Sequence, residues 1–325
     1  MIYNKVYCLA IHLILFYFVR NIKKNNEMVR KLKDYILLVL KGMGMGAADV
    51  VPGVSGGTIA FVVGIYDELL NSIKAVNMQS LSLLFKGELK NFWKAINGNF
   101  LLSLFTGIAI SVFSLAKLIT HLLVTQPVLV WAFFFGLVLA STWFVAKDIK
   151  GWNWKTVLGF VAGAIVAYYI TIVTPGETPT NLPFIFLCGA IAICAMILPG
   201  ISGSFILVLL GKYHYIMDAV KGLDWVVLSV FATGCLLGIT SFSRVLSYAL
   251  HHFRNVTMAV LSGFMLGSLN KVWPWKLSEN QIINGEEFVK ESNILPNEYM
   301  WEGIALMVAG FMLVYVIEKI SAKKS

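Results

Sequence analysis

The sequence predicts an all-α polytopic membrane protein. It is organised as an inverted-topology repeat, each half a re-entrant broken helix hairpin plus three transmembrane helices. Three observations carry this expectation. The 325 residues are 58% apolar and only 13% charged, with mean hydropathy +0.78, and several apolar runs are long enough to span a bilayer. One short motif occurs twice, as Pro52-Gly53-Val54-Ser55-Gly56 and Pro199-Gly200-Ile201-Ser202-Gly203. Basic residues gather in particular loops, as topology rather than nucleic-acid binding would require, although the net charge is +9.

The repeated motif organises the chain. Apolar helical sequence runs into each copy and out of it. Proline lacks an amide hydrogen and disfavours helix in the residue before it. Gly53, Gly56 and Gly57 permit unusual backbone angles. Each helix is therefore expected to break and restart. In lipid a break is tolerated only where protein or a watery cavity receives the freed backbone groups. A restarting helix presents unpaired N–H groups and the positive end of its dipole, which suits an anion. Ser55, Thr58, Ser202 and Ser204 add hydroxyls beside those amides. Paired discontinuous helices point to the substrate site of a transporter; the alternative is a pair of structural kinks.

Taken in order, Tyr7 to Val19 is apolar but short for a span, and a basic stretch follows it. It lacks a signal-peptide cleavage site. Residues 1–27 are read as an extension upstream of the native start near Met28, or else a peripheral helix. The first repeat covers 28–174. Its re-entrant element is 35–71, with halves at 35–51 and 55–71. An amphipathic surface helix or plain connector is expected at 74–98, with Met78, Phe85, Leu89 and Phe92 on one face and Lys86, Lys90 and Lys94 on another. Spans follow at 99–121, 127–146 and 155–174. The second repeat, 183–319, has its re-entrant element at 183–217 and spans at 225–248, 256–272 and 300–319; residues 320–325 form a tail. Trp143, Trp152, Trp154, Trp225, Trp273, Trp275 and Trp301 fall near span ends, where an aromatic belt would lie.

The repeat extends beyond the motif. Gly64-x-Tyr66 matches Gly211-x-Tyr213, Thr106-Gly107 matches Thr233-Gly234, Lys117 meets Arg244, and Gly136 meets Gly263. If each broken element enters and leaves on one side, the halves are inverted. The basic residues of 20–33, 74–94, 147–155, Arg254 and 319–324 then all face the cytoplasm, as do both termini. The glutamate-rich segment 271–299 faces out. The two motif tips would meet near the midplane.

Ionisable residues in apolar runs are costly and mark function. Lys117 and Arg244 either snorkel to the interfaces or receive an anionic head group near each face. Asp49 has Met196 as its repeat mate and breaks the symmetry. It caps the break, pairs with Lys117 or Arg244, or carries a coupling proton. Glu68 is a second coupling or ion-pair candidate near the cytoplasmic mouth. Cys8, Cys188, Cys194 and Cys235 lie in apolar runs, without metal-ligand spacing. Neither metal nor cofactor is expected, and no catalytic Ser/His/Asp set stands out.

The run from Gly42 to Thr58, taken with Ile197 to Ser204, resembles a bacterial family of polyprenyl-phosphate transporters, long catalogued as a domain of unknown function. The resemblance covers roughly residues 30–320. It implies a plasma-membrane transporter that returns undecaprenyl phosphate from the outer to the inner leaflet for cell-envelope synthesis; whether a coupling ion, proton or sodium, drives it is left open by the sequence. The tail would stay in lipid while the head group crosses a polar cleft. Pro52, Gly53, Ser55, Gly56, Gly57 and Thr58, with Pro199, Gly200, Ser202, Gly203 and Ser204, would then hold the phosphate, with Lys117 and Arg244 near the openings. Helix ends of this kind suit any anion, so a transporter or channel for a small soluble anion is the alternative. A lipid phosphatase is a third class, and the missing catalytic set counts against it.

Overall fold

The computed structural model describes residues 30–322 except Pro52, Pro175, Glu177, Asn284 and Gly285; the expected extension at 1–27 lies outside them. Among the described residues the first broken element comprises α1 (Leu32–Val50), α2 (Gly56–Val62) and α3 (Tyr66–Lys74). Two short helices follow, α4 (Met78–Phe85) and α5 (Leu89–Ala95). Then come α6 (Gly98–Thr125), α7 (Pro127–Lys147) and α8 (Trp154–Ile172). The second broken element comprises α9 (Leu182–Ile197), α10 (Gly203–Leu209) and α11 (Tyr213–Lys221). It leads into α12 (Trp225–His252) and α13 (Arg254–Ser268). An antiparallel hairpin, β1 (Lys276–Ile283) and β2 (Glu286–Asn293), precedes α14 (Met300–Ala322).

Local chemistry sets many of these boundaries. The side chains of Asn77, Asn153, Asn181 and Asp224 accept from backbone N–H groups in the first turns of α4, α8, α9 and α12. Pro127 opens α7, where its missing N–H costs nothing.

Both motif copies break their helix, as the sequence requires. Each broken element also breaks a second time. The stretches 55–71 and 201–217, expected as single half-helices, are interrupted at Gly64 (φ 68°) and Gly211 (φ 60°). The shared Gly-x-Tyr is thus a second punctuation mark, since the left-handed region is open to glycine at little cost. The surface helix expected at 74–98 is likewise two helices, parted at Gly87 (φ 76°). Met78, Phe85 and Leu89 are exposed along it.

Among the described residues five helices, α6, α7, α8, α12 and α14, are long and apolar enough to cross a membrane. The sixth expected span, 256–272, is shorter. As α13 it has 15 residues and ends at Ser268, whose hydroxyl turns back onto the Met265 carbonyl. At 1.5 Å per residue it rises only about 22 Å.

Among the described residues helices pack in four close pairs: α1 with α6, α9 with α12, α7 with α14, and α8 with α13. Glycines let backbones touch along each seam. Gly42 lies against the Leu104 carbonyl and Gly107 against that of Val39; Gly136 and Gly310 do the same between α7 and α14. The main core gathers around the first broken element, where Ala48, Val51, Val54 and Ala60 are fully buried. By contrast α6, α8 and α12 expose long rows of apolar side chains, such as Leu158, Val161, Ile165 and Tyr169 on α8. Soluble monomers rarely expose such continuous apolar surface.

Candidate functional site

The two breaks meet. From the first, Ser55 Oγ donates to the Met196 carbonyl at 3.0 Å and Tyr66 Oη donates to the Ile197 carbonyl at 3.1 Å. From the second, the Gly200 N–H donates to Thr58 Oγ1 at 3.0 Å. The Gly53 N–H points to Ser202 Oγ at 3.4 Å, a long and weak bond. A Cβ on Gly57 would lie 2.6 Å from the Ile197 carbonyl, so only glycine allows this approach. The junction is interior: Ser55 and Thr58 are fully buried and Ser202 nearly so.

The hydroxyls also cap the restarting helices. Ser55 Oγ accepts from the Gly57 N–H and Ser202 Oγ from the Phe205 N–H, with Ser204 Oγ 3.2 Å from Ser202 Oγ. Asp49 joins the first cap, its Oδ1 accepting from the Gly56 N–H at 2.7 Å. This is the capping contact, one of the roles open to Asp49 in the sequence; among the described residues neither Lys117 nor Arg244 forms an ion pair with it. Gly203 lies close to the Ala192 carbonyl and Pro199 is buried beside the junction. Pro52 falls outside the described residues.

Lys117 and Arg244 sit on exposed faces of α6 and α12, and neither hydrogen-bonds to a turn among the described residues. Glu68 is drawn into the base of the first element instead, 2.6 Å from Arg30 and accepting from Asn97 at 2.8 Å. It also borders a cavity of about 190 Å³ lined by Gly64, Asp67, Asp148, Arg254 and Glu318 among others. The helix α2 links the two places. Its N-terminus lies at the junction and its C-terminus at the cavity, about 10 Å away for seven residues.

Two lysines come into view that sequence patterning passes over. Lys41 is buried in α1 and donates to the Val63 carbonyl at 2.7 Å, closing the end of α2. Lys271, in the turn after α13, runs its stem across Gly53. A Cβ on Gly53 would lie 2.8 Å from Lys271 Cγ. The Lys271 ammonium stands 5.0 Å from the ring centroid of Phe205, in the second break. It pairs with Glu291 at 2.9 Å, and Lys276 takes the same carboxylate oxygen at 2.8 Å. Burial pushes the Glu291 carboxyl up, but Lys276 and Lys271 together outweigh burial and hold it below its usual range. Burial also lowers the Lys276 ammonium, against the pull of Glu291.

The tryptophans divide by role. Trp143, Trp154, Trp225 and Trp301 are exposed, as belt residues would be. Trp275 is 2% exposed and donates to the Glu298 carbonyl, while Trp273 donates to that of Ile294. These two pin the segment around the hairpin to the helices.

Comparison with known proteins supports the resemblance. A family model described as "VCA0040-like: Undecaprenyl phosphate translocase-like" matches residues 45–288. A "Polyprenyl-phosphate transporter" of Vibrio cholerae serotype O1 is 46% identical over 308 residues, covering 91% of this chain and 100% of the relative. A second protein of that name, from Staphylococcus aureus, is 30% identical over 256 residues, covering 73% of this chain and 85% of the relative. No solved structure matches the chain significantly. Five apolar helices among the described residues, with relatives named as transporters, describe a multi-pass membrane protein. The chain belongs to the undecaprenyl phosphate translocase-like family.

Proposed function

We propose that this protein carries polyprenyl phosphate across the bacterial plasma membrane, returning the carrier from the outer to the cytoplasmic leaflet for cell-envelope synthesis. The observation that carries the reading is the junction itself. Two interrupted membrane segments, from opposite halves of the chain, place backbone N–H groups and hydroxyls within bonding distance of one another. A phosphate offers acceptor oxygens for those same donors. The head group would displace the bonds between the turns, the 3.4 Å bond from Gly53 to Ser202 first, and the turns would part around it.

The inverted repeat is part of the proposal, and the helix seams support it. The contact of Gly42 with the Leu104 carbonyl has a mate in Gly189 with Phe231, and that of Gly107 with Val39 has a mate in Gly234 with Phe186. Gly136 against Met307 corresponds to Gly263 against Phe160, and Gly163 against Val260 to Gly310 against Phe133. In each case both partners are repeat equivalents. The last two pairs exchange partners between halves, as a two-fold axis would require. With re-entrant breaks, the basic segments and both termini fall on the cytoplasmic side and the hairpin outside. The cavity beside Arg254 would open inward and the hairpin would face the outer leaflet. Alternating access then needs only that the seal between the turns open to one side at a time.

Depletion of the protein in a strain lacking any redundant carrier transporter is expected to raise undecaprenyl phosphate at the outer face of the membrane. Unchanged outer-face levels would contradict the proposal.

A further inference from the structure

The Lys271–Glu291–Lys276 cluster lies beside the junction and is used by neither turn. Among the described residues it contains two ammonium groups and one carboxylate, so within these three one positive charge is left over. Lys271 is the only one of the three in reach of both motif copies: its stem crosses Gly53 and its ammonium faces Phe205. Glu291 is shared through a single oxygen, Oε2. Lys276 is the more deeply fixed partner. It also donates to the Lys271 carbonyl at 2.6 Å and stands 4.4 Å from the ring centroid of Trp131.

We infer that Lys271 is a phosphate-binding residue of the transporter and that Glu291 is its internal stand-in, occupying the ammonium until a lipid head group arrives. This rests on the proposed transport of polyprenyl phosphate and adds the residue that receives it. The division of labour follows from charge. When a phosphate takes Lys271, Glu291 keeps its bond to Lys276, so no charge is stranded in a half-buried site. A phosphate monoester competes for an ammonium better than a single carboxylate does, because it carries −1.5 to −2 charges and three strong acceptor oxygens. An uncharged polyprenol offers nothing that would displace Glu291. The cluster thereby selects for the phosphorylated carrier. Because β2 carries Glu291, release of that bond also frees one hold of the hairpin on the turn after α13.

The test is equilibrium binding of farnesyl phosphate to the full-length protein in detergent or nanodiscs, with farnesol and inorganic phosphate as comparison ligands. Lys271→Gln should weaken farnesyl phosphate binding by about tenfold, the order expected for loss of one charge-assisted contact, with Lys271→Arg retaining most of it. Glu291→Gln should act in the opposite direction and tighten binding severalfold. A merely structural ion pair would not give opposite signs for its two partners. Unchanged affinity in Lys271→Gln, or weaker binding in Glu291→Gln, overturns the inference. If Lys271→Gln does not fold, Glu291→Gln decides alone, unchanged affinity then counting against the inference. Failure of the wild-type protein to bind farnesyl phosphate would instead remove the transport reading beneath it. Inorganic phosphate binding as tightly as farnesyl phosphate would replace that reading with a small soluble anion as substrate.

Discussion

Valine at Ser55 or Ser202 is expected to abolish transport, and the two substitutions together to add little further loss. Ser55 Oγ makes two bonds at once, accepting from the Gly57 N–H and donating to the Met196 carbonyl. Ser202 Oγ accepts from both Phe205 and Gly53. Valine is bulkier than serine, carries no hydroxyl and can do none of this. Each variant therefore leaves buried donors or acceptors unpaired, at about 1–3 kcal/mol of stability. Transport should suffer more than stability, because a hydrogen bond to a charged phosphate is worth about 1.5–3 kcal/mol and both turns must supply theirs together. Transport in reconstituted vesicles, read beside the thermal midpoint, separates the two losses. Wild-type rates in both variants would place the substrate path elsewhere.

Gly57→Ala should likewise disable the protein, whereas Gly44→Ala should be harmless. Both are glycines near the first break, and they differ in what a methyl group would meet. At Gly57 it would lie 2.6 Å from the Ile197 carbonyl and 3.1 Å from that of Met196, both rigid backbone of the opposite turn. The turns would have to separate, at a cost of about 1–3 kcal/mol for overpacking. At Gly44 its nearest neighbour would be Ile59 Cγ2 at 3.5 Å, an ordinary contact. Alanine within α1 should even stabilise the helix, by up to about 1 kcal/mol. Equal tolerance at the two positions, measured by transport and thermal midpoint, would argue that the turns do not touch.

The breaks were legible because proline and paired glycines punctuate a helix through their own covalent chemistry. The pairing of the turns was legible only through the repeat, since no local pattern says that Ser55 will find Met196. The second breaks at Gly64 and Gly211 were present as a matched Gly-x-Tyr, but an apolar run continues through them and masks the interruption. The hairpin of β1 and β2 was passed over because the charges of 271–299 drew attention to topology. Lys117 and Arg244 show what a repeat cannot give. Equivalence in sequence fixes their depth relative to one another, but the direction of a side chain depends on how the helix packs. Lys271 shows the converse. It lies just past the last turn of a helix shorter than the expected span 256–272, and packing alone brings it against Gly53.

An experimental structure of the protein with farnesyl phosphate bound tests the central claim most directly. Phosphate density bridging the two turns, within hydrogen-bonding distance of Ser55 or Thr58 on one side and Ser202 or Ser204 on the other, is the expected result. Density confined to the exposed faces that carry Lys117 and Arg244, with the turns still bonded to each other, would contradict it.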